Sequence, residues 1–139
     1  MDSTQESLFD NAMARYQSGE EAIELIPDFE NITNLFPNQS SAWTCLAWLQ
    51  LLCNRYEAAL RSARTAVKLN AQDPQARINL SLALLETNSK GVREHIEFLQ
   101  KALFVVPDLK KELQNSIEDG LKRKTDWQAL KKIKNWLEF

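Results

Sequence analysis

Glycine and proline are scarce in this chain, three and four among 139 residues. An all-β protein needs a turn every ten residues or so, and this supply cannot furnish them. The chain therefore reads as helical before any periodicity is examined. Histidine is scarcer still. The single one, His95, has no second imidazole to share a metal with and no triad partners at a readable spacing, so it reads as a packed or half-exposed helix residue. Gly19, Gly91 and Gly120 are isolated, which excludes a glycine-rich phosphate loop and suggests a turn at each. Glu20, Glu21 and Glu24 read as a solvated helix face. No catalytic constellation, metal site or cofactor site is predicted.

Long hydrophobic runs are also missing. The most apolar stretch, Ala42 to Cys53, is interrupted by Thr44 and Gln50 and is too short to span a bilayer. The first residues, through Glu6, are acidic and polar and lead into no apolar segment of a secretory signal. Cys45 and Cys53 lie eight residues apart in one expected helix, about 12 Å along its axis, too far for a disulfide. Both are read as buried reduced thiols of a cytoplasmic protein.

What is present is ordinary globular material: 44% apolar and 26% charged residues, with a net charge of −2. The charge is unevenly placed. Residues 1–37 hold eight acids and one base, Arg15, leaving eleven acids and sixteen bases for the other 102 residues. Such polarity suits steering of a charged partner or head-to-tail self-association, and equally suits solvated helix faces of either sign.

Periodicity and capping signals divide the chain into about eight helices in four antiparallel pairs. Ser3-x-x-Glu6 forms a capping box for the first helix, and Leu8, Phe9, Ala12, Met13 and Tyr16 follow at helical spacing. Ser18-x-x-Glu21 is a second box, and Pro27 should kink or restart the helix it opens. Ser41 to Leu52 and Tyr56 to Leu69 form the next pair around Asn54-Arg55. Asp73-Pro74 caps a helix over 75–86, which a loop from Thr87 to Gly91 joins to its return over 92–106. Pro107-Asp108 starts a helix to about Leu121. Thr125-x-x-Gln128 caps a last one carrying Trp127, Leu130, Ile133, Trp136 and Leu137.

Self-comparison adds a repeat. Trp43, Leu46, Ala47, Tyr56, Ala59, Ala66 and Val67 stand at one spacing, and residues 76–107 return to it with Asn79-Leu80-Ser81, Leu99, Ala102-Leu103 and Pro107. This pattern resembles the signature of the tetratricopeptide repeat family. The resemblance covers residues 40–73 and 74–107. It implies an all-α, right-handed solenoid of helical hairpins, a single domain over 1–139, with a degenerate hairpin over 3–37 and a capping hairpin over 108–138. Ile32, where the signature has alanine, and His95, where it has a small residue, depart from the pattern.

The resemblance also implies a function: a protein-interaction module rather than an enzyme, acting as adaptor, scaffold or assembly factor. In the family the first helix of each pair lines a concave groove. By position this puts Thr44, Trp48, Leu51 and Leu52, then Gln75, Ile78, Asn79 and Leu82, then Lys111 with Gln114, Asn115 and Glu118 on that surface. The groove would take a peptide or amphipathic helix of another protein, with Trp48 as an aromatic anchor. The same apolar residues could instead be covered by the chain's own first or last helix. A clamp for acidic chaperone tails is not expected: Asn79 and Lys111 match it, but Thr44 and Trp48 replace its Lys and Asn. A reading of another class is nucleic-acid or acidic-surface binding through Lys122-Arg123-Lys124 and Lys131-Lys132-x-Lys134, with Trp127 and Trp136 available to stack.

Overall fold

The computed structural model describes residues 3–139. They form eight helices: α1 (Ser3–Gln17), α2 (Ala22–Leu35), α3 (Ser40–Leu52), α4 (Tyr56–Leu69), α5 (Pro74–Glu86), α6 (Val92–Val105), α7 (Leu109–Arg123) and α8 (Gln128–Trp136). No strand occurs among the described residues. Helices adjacent in sequence pack as successive hairpins, most extensively α3 with α4 and α4 with α5. Beyond its neighbours, α5 also meets α3 and α8. None of the helices is long and apolar enough to cross a membrane, considering the described residues.

The turns follow from backbone chemistry. The carboxylate of Asp73 accepts the Gln75 N–H at 3.0 Å, with Pro74 at the first helical position, as the sequence predicts. Gly19 and Gly91 take φ of +99° and +108° before α2 and α6, and Asn54 and Asn88 take left-handed φ after α3 and α5. Glycine and asparagine tolerate that conformation best.

Several local expectations are corrected. The Ser18 hydroxyl donates back to the Arg15 carbonyl at 2.9 Å; it closes α1 rather than opening α2, because the left-handed Gly19 breaks the register of the box. Helix α2 starts at Ala22 and runs through Pro27 without restarting. An internal proline costs about 3 kcal/mol, but Leu25, Ile26, Phe29 and Ile32 are all buried, each contributing about 1.5–3 kcal/mol. Packing wins. Thr125 caps nothing: the residue preceding α8 is Trp127, without a side-chain cap, and Gln128 reaches Asp126 instead. Gly120 is not a turn but lies inside α7. The capping box on Ser3 lies outside the described side chains, which begin at residue 4.

Two apolar cores meet at α3. Ala42, Leu46 and Leu49 join Ala12, Leu25, Ile26, Phe29 and Ile32 on one side. Ala47, Trp48 and Leu51 join the larger core on the other, with Ala59, Ile78, Leu82, Leu99, Trp127, Leu130 and Ile133. Ala47, Ala59, Ala63, Ala66, Ala76 and Ala83 have no exposed surface. A methyl side chain at these positions lets neighbouring helices approach closely, and close packing leaves no room for more. The most exposed large apolar side chains are Phe104 and Val105, at the end of α6.

Candidate functional site

The residues expected on a groove separate into distinct environments. Leu51, Ile78 and Leu82 are wholly buried, in one core with Leu130 and Ile133 of α8. All three, expected on the groove surface, are core residues in this structure. Helix α8 carries an apolar stripe that must be covered, and α5 is the surface it covers. Leu52 is half-buried and faces a recess of about 500 Å³ behind the first hairpin, with Ile23 and Cys53. Lys111 is exposed and does not line the cleft described next. Helix α7 presents Glu112, Asn115, Ser116, Asp119 and Arg123 there, a face displaced by one residue, about 100° around the helix, from that expected.

Thr44, Trp48, Gln75 and Asn79 do come together. They line a cleft of about 650 Å³ between the first helices of all four hairpins, α1, α3, α5 and α7. Its apolar lining comes from Met13 and Phe29 of the first hairpin and from Cys45, Trp48 and Leu49 of α3.

One wall is a hydrogen-bonded relay across three helices. The Ser116 hydroxyl donates to Gln75 Oε1 at 2.7 Å, Gln75 Nε2 donates to Asn79 Oδ1 at 2.9 Å, and Asn79 Nδ2 donates to the Thr44 carbonyl at 2.9 Å. Asn79 is fully buried, so each of these bonds avoids the cost of an unpaired polar group. The relay fixes the spacing of α3, α5 and α7.

The opposite end is closed by a clasp between chain segments about a hundred residues apart. The Trp48 indole N–H donates to the Tyr16 hydroxyl at 2.8 Å, and that hydroxyl donates to Asp119. Arg123 donates to the carbonyls of Tyr16 at 2.7 Å and Glu20 at 3.2 Å, pairs with Asp119 at 3.3 Å, and stacks over the Tyr16 ring at 3.7 Å. Its guanidinium thus neutralises the carbonyl end of α1. Burial, then the bond to Asp119, pushes the Tyr16 hydroxyl above its ordinary range, so it stays protonated and remains a donor. Trp48 packs on Trp127 with centroids 5.6 Å apart; only its edge faces the cleft, as it is 8% exposed.

Arg123 and Lys124 therefore serve inside the molecule rather than in an outward basic run. Lys124 donates to Asn54 at 2.6 Å, to the Tyr56 hydroxyl at 2.8 Å and to the Leu51 carbonyl at 3.3 Å. Trp127 is buried, its N–H bonded to Glu86 at 2.9 Å, which leaves Trp136, 42% exposed, as the accessible aromatic of the last hairpin.

The remaining chemistry is quiet. His95 is buried, with Arg77 Nη1 3.0 Å from its Nδ1; burial, then the Arg77 charge, lowers its pKa. Both cysteines are free and half-buried rather than fully enclosed. Burial pushes the Cys45 thiol up to about 12. Among the described residues no group of three or more His, Cys, Asp or Glu is placed to hold a metal ion. Sequence reasoning missed Met13, Tyr16, Asp119 and Arg123. The first two read as members of an apolar stripe and Arg123 as part of a basic run, and nothing in the sequence signals that the two ends of the chain meet.

No protein-family model matches this chain, and neither does any curated protein sequence. Solved structures do match. The chain is similar to SycD, the type III secretion translocator chaperone of Yersinia enterocolitica, in an alternative dimer form: TM-score 0.68, 19% identity, covering 88% of this chain and 92% of that one. It is similar to SycD in complex with a peptide of the translocator YopD, with TM-score 0.57 and 18% identity over 94% and 95% of the two chains. A double mutant of MamA RS-1 matches with TM-score 0.60 and 22% identity, over 96% of this chain and 73% of that one. At these identities the likeness shows the fold, a tetratricopeptide-like array of helical hairpins.

Proposed function

We propose that the chain is a non-enzymatic interaction module, an adaptor or assembly factor, that holds a short segment of another protein in the cleft between α1, α3, α5 and α7. Residues 40–73 and 74–107 are its two tetratricopeptide repeats. The observation that carries this reading is the cleft itself: an apolar lining under a hydrogen-bonded rim, about 650 Å³ in volume. That is within the range of roughly 300–1,000 Å³ of sites that bind ligands a few side chains in size. A helix about 10–12 Å across would fill that volume within about five residues, so the cleft takes a short segment. A chaperone of similar fold is seen with a peptide of its translocator, and the site here lies on the inner helices of a comparable array.

Binding through the basic last hairpin receives less support. Trp127 is buried, and Arg123 and Lys124 are held by groups of the chain itself.

A test of the cleft is selection of random twelve-residue peptides displayed on phage against the full chain, repeated with Asn115→Trp. Asn115 is exposed at the rim, so the indole fills the cleft without entering the core. Peptides retained by the parent and lost by a variant with unchanged circular dichroism support the reading. Peptides held equally by both contradict it.

A further inference from the structure

We infer that the cleft selects an apolar segment bearing a lysine or arginine, with Glu112 as the group that recognises the positive charge. The inference rests on the reading of the cleft as a peptide site and adds the partner's chemistry to it.

Three charged side chains line the cleft: Glu112, Asp119 and Arg123. Arg123 is spent on the carbonyls of Tyr16 and Glu20, on the Tyr16 ring and on Asp119. Asp119 in turn receives the Tyr16 hydroxyl on its second oxygen. These two cancel each other and have no free valence directed at a ligand. Glu112 differs: it is exposed, lines the same cleft, and has no hydrogen bond or ion pair among the described residues. Asn115, one turn further along α7, is likewise without a side-chain partner there. The neighbouring bases Lys110 and Lys111 are exposed but do not line the cleft.

The site thus presents an apolar floor, a free amide and one uncompensated carboxylate. An apolar segment with a carboxylate near Glu112 would meet like charge over a low-dielectric floor, while an ammonium or guanidinium would form a charge-assisted bond. Such pairing decides between peptides of similar apolar content more than it adds bulk affinity. It is also the opposite polarity to a clamp for acidic tails, which would need a Lys and an Asn where Thr44 and Trp48 stand.

The selection described above supplies the test when run in parallel on the parent, Glu112→Lys and Asn115→Trp, each checked for native circular dichroism. Glu112 is exposed and unpaired, so its reversal leaves the fold intact. The parent is expected to enrich apolar peptides with Lys or Arg. A synthetic peptide from that pool should bind Glu112→Lys about three- to tenfold more weakly, and its Lys→Glu counterpart should bind Glu112→Lys better than the parent. Enriched peptides that are lost with Asn115→Trp yet show no basic preference, and bind Glu112→Lys equally, would overturn this inference and leave the cleft reading standing. Absence of any peptide sensitive to Asn115→Trp would overturn both.

Discussion

Helices α3 and α5 at the centre and helices α7 and α8 at the end use apolar residues in different ways. α3 is buried on two sides, toward the first hairpin and toward the larger core, and α5 has almost no exposed residue between Ala76 and Leu84. α8 buries one stripe, Ala129, Leu130 and Ile133, and leaves Lys131 and Lys132 in water. The centre is a wall shared by neighbours, and the end is a lid laid on it. A wall packed on two sides tolerates little change in volume, and the cleft lies where α7 meets it.

The sharpest way to break this contrast is Ala59→Trp. Ala59 has no exposed surface, and overpacking a site between helices should cost about 1–3 kcal/mol or more, read as a clear fall in the midpoint of a urea titration. A parent-like midpoint would show that the centre is not a close-packed wall. At the lid, Tyr16→Phe removes the hydroxyl that joins Trp48 to Asp119. Loss of about 1–2 kcal/mol is expected from the two groups left unpaired, and Trp48 fluorescence should shift as the clasp loosens. Gly120→Ala probes the same seam. Its Cβ would stand 2.7 Å from Leu130 Cδ2 and 2.8 Å from the Trp48 ring, so a neighbouring side chain or α7 itself must shift. The gain of about 1 kcal/mol in helix propensity offsets part of that cost, and a net loss of about 1 kcal/mol is expected in the same titration.

The smallest effect is a pH dependence. Burial, then Arg77, holds the folded-state pKa of His95 below 6.5, so the unfolded chain binds the extra proton first. The stabilising contribution is complete above about pH 6.5 and declines as pH falls from there toward the folded-state value. His95→Gln should flatten that part of a stability profile measured by chemical denaturation. An unchanged slope would place the titration elsewhere.

Much of the wall was legible in the sequence because it rests on local rules. Small residues at repeat spacing mark where helices touch, and Asp73-Pro74 carries its own capping chemistry. The lid was legible only as an amphipathic helix, since periodicity reports that a stripe must be covered and not what covers it. For that reason Leu51, Ile78 and Leu82 could be read either as groove or as core; they are core. Trp48 is divided, packed against Trp127 in the core yet lining the cleft. The shift from Lys111 to Glu112 on α7 is one residue, within the error of placing a helix start from Pro107-Asp108. The clasp of Tyr16, Asp119 and Arg123 depends on the path of the whole chain and leaves no local pattern.

The most direct test of the account is a ¹⁵N–¹H titration of the full chain with a peptide recovered by the selection. The amides of Met13, Thr44, Asn79 and Asn115 and the indole N–H of Trp48 are expected to shift together at one affinity, while those of Leu51, Ile78 and Leu82 stay near their free positions. Shifts concentrated on the outer helices α2, α4 and α6, with the cleft unchanged, would contradict it.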